Sequence, residues 1–332
     1  MPMTPTCVYD TYWRFAAERQ AMYMRRLIDQ LGPWTADPIL RNYRFTNVYR
    51  AADRVSQYLI RNVLYREDRS QSPVDVFFRT LLFKLFNKID TWRYLEQILG
   101  PLSWHRIDPN RISQALGGLY KQGYRLYSAA YIMPAPRFGH ERKFDNHLAL
   151  LIRMIEDGLP ARLGKARSLR AAYEMIRPYP GLGPFLAFQY VIDLNYSTLL
   201  SFDEADFVVA GPGALDGIAK CFADTGRQTP ADIIHQMVEC QHGEFARQGL
   251  KFQGLFGRPL QPIDCQNLFC EISKYARVAH PDVRGTGSRK RIKQSYRPTS
   301  EIPELPTFPP RWGLSVPASV QVTGLPRQLE LI

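Results

Sequence analysis

Apolar positions recur at helical spacing along most of residues 8–283. Residues 8–31 place Tyr12, Phe15, Ala16, Arg19, Tyr23 and Leu27 at helical spacing, the stripe expected of an amphipathic helix. A Pro/Asp loop over 32–38 separates it from a second helix expected at 46–65. The third, at 73–90, contains VDVFFRTLLFKLFNKI and is apolar nearly all round, as a buried central helix would be. Helical patterning continues at 92–100, 111–130, 143–158, 168–177, 184–196, 228–241 and 263–279. Strand-like alternation is rare, with Phe207–Ala210 and Phe252–Phe256 the only short extended candidates, and there is no internal repeat. The pattern predicts an all-α protein.

Composition changes this picture at the C-terminal end. After about Pro281 the helical pattern stops, and residues 284–297 (RGTGSRKRIKQSYR) hold a dense basic run. Prolines then become frequent, at 298, 303, 306, 309, 310 and 317. The expected organisation is a helical body over 1–283 and a basic, then Pro-rich extension over 284–332, extended and loosely packed at least in isolation. The chain has 332 residues, is 45% hydrophobic and carries a net charge of +12. That balance suits a polyanionic partner, nucleic acid first. No apolar run approaches the ~18 residues that span a bilayer. The start, MPMTPTCVYDTYWRF, lacks a charged segment followed by an apolar one, so no secretion signal or membrane is expected and a cytoplasmic location is. Five irregularly spaced cysteines argue against a disulfide framework, and the absence of CxxC or HxxxH pairs argues against a zinc site.

The candidate chemistry begins with PGLGPFLAFQ at 180–189. It reads as a tight turn between two helices, in which Gly181 and Gly183 let backbone N–H groups and a helix N-terminus face a phosphate. Plain turn chemistry is the other reading. On a helix at 46–65, Asn47, Arg50, Arg54, Gln57 and Arg61 fall within about 80°. Three arginines with no carboxylate between them favour anion binding over an ordinary wet face. On 263–279, Asp264, Asn267, Glu271 and Lys274 share one sector. They form either a structural network or a site for acid–base work. Gly211 and Gly213, in a GPG loop that opens a helix, permit close approach to a ligand, and Asp193 follows the glycine turn. Tyr120, Tyr124, Tyr127 and Tyr131 are spaced for a helical stripe, read as packing ahead of base stacking. No histidine falls in a ligand pattern, and neither GxxxxGK[ST] nor GxSxG occurs.

Five blocks in order, YRFTNVYRAADRVSQYLIRNV (43–63), FFRTLLFKLFNKIDTW (77–92), YPGLGPFLAFQYVIDLNYS (179–197), DFVVAGPGALDGI (206–218) and IDCQNLFCEISKYAR (263–277), resemble one family. It is the α-glutamyl/putrescinyl thymine pyrophosphorylase family, also described as the helical domain found with 5-hydroxymethyluracil DNA kinases. The resemblance covers roughly residues 8–297. It implies a two-lobed, helix-hairpin-helix DNA glycosylase-like architecture, mainly bacteriophage-encoded, and hence the host cytoplasm.

The implied activity is amine transfer onto pyrophosphorylated 5-hydroxymethyluracil in double-stranded DNA, with release of pyrophosphate from a flipped-out base. The implied partners are DNA, an amino acid or polyamine donor, and a 5-hydroxymethyluracil DNA kinase. No cofactor is implied, and a divalent metal is left open. A carboxylate base is needed, for which Asp264, Glu271, Asp193 and Asp206 are candidates beside Asn267. Asn47, Arg50, Arg54, Gly211 and Gly213 would meet pyrophosphate, while Lys274 or Arg277 would meet a substrate carboxylate. Gly181, Gly183, Arg289, Lys290, Arg291 and Lys293 would hold DNA. A covalent route through Cys265 is a minor alternative. The rivals are a glycosylase or lyase, which would want a lysine where Pro184 and Phe185 stand, and a non-catalytic DNA-binding protein.

Overall fold

Proline and capping residues mark where most helices begin. Thr6, Asp37, Ser72, Asp108, Ser168 and Thr229 each accept a backbone N–H of the first turn with a side-chain oxygen, satisfying donors that the helix itself leaves open. The computed structural model describes residues 3–29, 31–297 and 304–317. Its helices are α1 (Cys7–Ile28), α2 (Pro38–Asn42), α3 (Arg54–Tyr58), α4 (Pro73–Phe86), α5 (Ile89–Leu99), α6 (Pro109–Lys121), α7 (Lys143–Glu156), α8 (Leu159–Leu163), α9 (Leu169–Ile176), α10 (Pro184–Asn195), α11 (Pro212–Cys221), α12 (Pro230–Arg247) and α13 (Pro262–Ala279). Among the described residues the sheet content is one antiparallel pair, β1 (Thr4–Pro5) with β2 (Phe222–Asp224). The protein is therefore mostly helical. None of the described helices is long and apolar enough to cross a membrane.

The chain divides into two compact units. The first comprises Met1–Asp53, Phe207–Pro306 and Gly313–Ile332. Its core joins α1 to α12 and α13 through aromatic side chains. Tyr12 lies 4.8 Å from Phe269 and Trp13 lies 5.1 Å from Phe245, ring centroid to centroid. The helices α11 and α13 touch backbone to backbone. A Cβ on Gly217 would overlap the Phe269 carbonyl, and one on Gly213 would overlap the Cys270 sulfur.

The second unit comprises Arg54–Asp206 and Thr307–Trp312. The helix α4 is buried on every side, down to Arg79, Thr80 and Lys84, and it packs against α5, α7, α8 and α10. Asn87 ends it in the left-handed conformation at φ 48°.

Three expectations are corrected. The helix expected at 46–65 is interrupted: a 3₁₀ turn at Arg50–Ala52, extended backbone at Asp53, then α3 and a π-helical turn at Leu59–Leu64. The break is local competition by side chains. The Asp53 carboxylate accepts the Asn47 N–H at 2.7 Å, and the Asn47 amide donates to Ala52 O at 2.7 Å. The tyrosine stripe is likewise not helical, because α6 ends at Lys121, Gly123 turns at φ 80° and Tyr131 sits at φ 53°. Nor is the described part of the extension loose. Tyr43 and Ser295 form an antiparallel bridge, and Thr307 exchanges two hydrogen bonds with the Gln57 side chain at 2.8 and 2.9 Å. Pro298 and Pro303 lie outside the described residues.

Candidate functional site

The sequence of α13 repeats polar residues at i, i+3, i+7 and i+10: Asp264, Asn267, Glu271 and Lys274. That spacing lines one face of a helix. The opposite face, with Leu268, Ile272 and Ala276, is buried in the core. The polar face meets the loop between Phe45 and Asp53. Asp264 accepts the Arg50 N–H and the Gln261 N–H, each at 3.1 Å. Asn267 donates its amide to Asn47 O at 2.9 Å and to the Thr46 hydroxyl at 3.1 Å. Glu271 accepts the Thr46 N–H at 3.1 Å and pairs with Lys274 at 2.7 Å. The Lys274 ammonium also rests 4.7 Å above the Phe45 ring. Asp264, Asn267 and Glu271 are all buried. Most of their acceptor and donor capacity therefore goes to holding the loop against the helix.

Two residues that were not among the site residues expected from sequence complete this cluster. Arg19, reaching from α1, donates to Asn47 Oδ1 at 2.6 Å and to Thr46 O at 3.0 Å. Asp53, at the edge of the cluster, is partly exposed. Burial of its carboxyl pushes its pKa up to about 7; the Asn47 N–H and Arg19 pull against that shift, and the Glu271 charge adds to it. Like Asp264 and Glu271, Asp53 accepts a backbone N–H, and with its pKa lifted to about 7 it can exchange a proton near neutrality. Spacing alone offered no cue to Asp53, because on a continuous helix it would have stood apart from the polar face of 263–279.

The remaining predicted residues are dispersed. Arg50 is buried within the 3₁₀ turn, whereas Arg54 opens α3 and is exposed in the other unit. Gln57 and Arg61 are both engaged by Thr307. The arginine stripe expected on one helix thus does not exist as a surface. Gly211 is the N-cap of α11, and Gly213 provides the space that Cys270 fills. The close approach made at Gly213 is that of α13. Arg277 donates to Arg291 O at 3.4 Å, and Arg289, Lys290, Arg291 and Lys293 are exposed. Cys265 is fully buried, and burial pushes its thiol well above the ordinary range.

In the second unit, α9 and α10 flank a tight turn. Gly181 adopts φ 83°, with Met133 Cε 3.1 Å from where a Cβ would stand, and Gly183 caps α10 with nothing in front of it. The two glycines therefore do different work, one packing and one exposed. Asp193, deep in α10, forms a buried ion pair with Lys84 at 2.8 Å. The Lys84 ammonium also lies 4.0 Å from the centre of the Tyr131 ring, which stacks on Phe185 at 6.1 Å. Nearby, His147 Nε2 donates to Pro134 O at 3.1 Å, which leaves Nδ1 to accept the Tyr127 hydroxyl at 2.9 Å. Burial lowers the His147 pKa to about 4, so it is neutral at physiological pH. Asp206 is exposed in a bend. Among the described residues no group of three His, Cys, Asp or Glu side chains is placed to hold a metal ion.

Residues 6–285 match the family described as the helical domain of 5-hmdU DNA kinase. The chain belongs to that family. A curated relative, the 5-hmdU DNA kinase of Bacillus phage SP10, is 27% identical over 292 residues, covering 82% of this chain and 46% of that protein. The chain thus spans about half the length of the curated relative it matches. No solved structure matches it. Membership in this family relates the chain to proteins of hydroxymethyluracil DNA modification.

Proposed function

We propose that this chain is an amine transferase acting on 5-hydroxymethyluracil that has been pyrophosphorylated within double-stranded DNA. The observation that carries the proposal is the loop Phe45–Asp53 laid across the polar face of α13, in a chain whose family match spans residues 6–285. This arrangement gathers cations, amides and one carboxyl of near-neutral pKa in a single unit. The reaction needs those groups. A donor ammonium must lose a proton to a base. Its nitrogen then bonds the exocyclic methylene carbon of the base. The carbon–oxygen bond to pyrophosphate breaks, and the leaving oxygens take the electron pair beside positive charge.

In this scheme Asp53 takes the proton. Asp264, Glu271 and Asn267 hold the loop that carries it, and Asn47 and Arg50 shape that loop around the leaving group. Lys274 or Arg277 meets the carboxylate of an amino-acid donor. The turn at Gly181–Gly183 and the basic residues Arg289, Lys290, Arg291 and Lys293 hold the DNA backbone. Catalysis then belongs to residues 1–283, with 284–332 as a DNA-gripping extension. The phosphorylation that activates the base is the work of a separate kinase activity.

The test is incubation of the purified chain with DNA carrying 5-pyrophosphoryloxymethyluracil and a mixture of amino acids and polyamines, followed by digestion and nucleoside mass measurement. An aminated thymidine together with free pyrophosphate is expected, and its mass names the donor. Release of a free base would mean a glycosylase, and unchanged nucleosides on bound DNA would mean a binding protein. Asp264→Asn is expected to lower turnover at least tenfold with DNA affinity retained.

A further inference from the structure

The basic run 284–297 contains no carboxylate, and its backbone is held at several points. Gly287 N–H donates to Asp216 Oδ1 at 2.6 Å. A Cβ on Gly285 would stand 2.6 Å from Asp216 O, so only glycine lets the segment lie this close. Asp216 itself is buried and fixed, paired with Lys220 at 3.0 Å and accepting the Ser273 hydroxyl. Burial alone would raise its pKa, but the bonds from Ser273, Gly287 and Lys220 hold it below the usual carboxylate value. Further along, Arg277 reaches Arg291 O, and Ile292 is buried. At the far end Arg44 N–H donates to Gln294 O and Tyr296 N–H to Asn42 O, each at 2.9 Å.

This pinning leaves the charged side chains outward. Arg289, Lys290, Arg291 and Lys293 are exposed, and the bridge brings the exposed Arg41 and Arg44 alongside them. The segment Pro38–Phe45 also lacks carboxylates. A solvated charge run of this kind would normally be mobile and would lose conformational entropy on gripping a ligand. Here the ordering is already present in the unbound fold.

We propose that residues 284–297, together with Arg41 and Arg44, form a fixed rail for the phosphate backbone of duplex DNA, and that Asp216 is the positioning residue that sets the rail. The inference rests on DNA being the substrate, and it adds the mode of contact. A run of exposed cations, with Ile292 buried, complements a polyanionic backbone and holds it without reading bases.

The experiment measures binding of the full chain to a short labelled unmodified duplex across a range of salt concentrations. Wild type is expected to bind with a steep salt dependence. The double substitution Lys290→Gln with Lys293→Gln is expected to reduce the slope of log affinity against log salt by about 2, because each lost phosphate contact removes about 0.9. Gly285→Ala keeps every charge and is expected to weaken binding about five- to tenfold by displacing the segment, a scale that corresponds to about 1 kcal/mol or slightly more. Asp216→Ala should do the same, and Gly285→Ala controls for any general loss of folding in that variant. If wild type binds no duplex, both the DNA assignment and the rail are wrong. If wild type binds and the lysine pair leaves the slope unchanged, DNA is held elsewhere and the rail alone is wrong. An unaltered affinity in Gly285→Ala overturns the positioning role of Asp216. Equal competition by polyglutamate and by unlabelled duplex also overturns the rail's fit to DNA.

Discussion

Asp53 shows how one side chain can change the reading of a whole segment. Its carboxyl competes with the helical bonding that residues 46–65 would otherwise adopt, and the same burial lifts its pKa to about 7 against an ordinary 3.8. Between those values the folded chain keeps a proton that the unfolded chain has released. The contribution of Asp53 to stability is therefore fully present below the ordinary value and is lost as pH rises through about 7. Arg19, Arg50 and Glu271 are the charged groups that modulate it. Asp53→Asn retains an acceptor for the Asn47 N–H. Its melting temperature should match wild type near about pH 4 and exceed it by several degrees at about pH 8, checked by thermal melts at both values. If Asp53 is also the base, the same variant loses the rising limb of the transfer pH profile. His147, with no role in the sequence reading, is a polar packing residue whose proton sites are both occupied by neighbours.

At the scale of elements, the GPG loop and its helix illustrate why a glycine cannot be assigned from sequence alone. Gly213 and Gly217 are one helical turn apart on α11, and α13 occupies the space their missing side chains leave. Phosphate approach and helix approach demand the same absence of a Cβ. A Cβ at 217 would also lie 2.6 Å from the Phe269 carbonyl carbon, and backbone cannot rotate out of the way. Gly217→Ala is expected to cost about 1–3 kcal/mol or more, read as a lower urea midpoint at unchanged slope. Gly213→Ala should cost less, because it meets chiefly a cysteine side chain. The tight turn before α10 was legible for the opposite reason: Gly181, Gly183 and Pro184 impose local geometry that needs no distant partner.

At the scale of the molecule, each unit gathers segments far apart in sequence. Thr307–Trp312 belongs with the unit built from Arg54–Asp206. There Trp312 packs edge-on against Tyr196 at 5.7 Å, and Arg311 donates to Asn195 O and Phe202 O beyond the end of α10. Trp312→Ala is expected to destabilise that unit by about 1–2 kcal/mol. Hydrogen exchange should then rise at α10 amides while α13 amides stay protected, since α13 lies in the other unit.

The helical character of the chain, the buried nature of α4 and the polar face of α13 were all readable from periodicity, because they depend on residues three and four positions apart. The match to the helical domain of 5-hmdU DNA kinase spans residues 6–285, the stretch that contains the blocks resembling that domain. Other features required the fold: the break at Asp53, the pairing of Lys84 with Asp193, the engagement of Asp216 by Gly287 and the return of Thr307 to Gln57. Each joins a side chain to a backbone group or charge that the helical period does not relate to it. Sequence therefore determined which faces were polar. Tertiary structure decided which of those polar groups were consumed in holding the chain together and which, such as the cations of 284–297, stayed exposed.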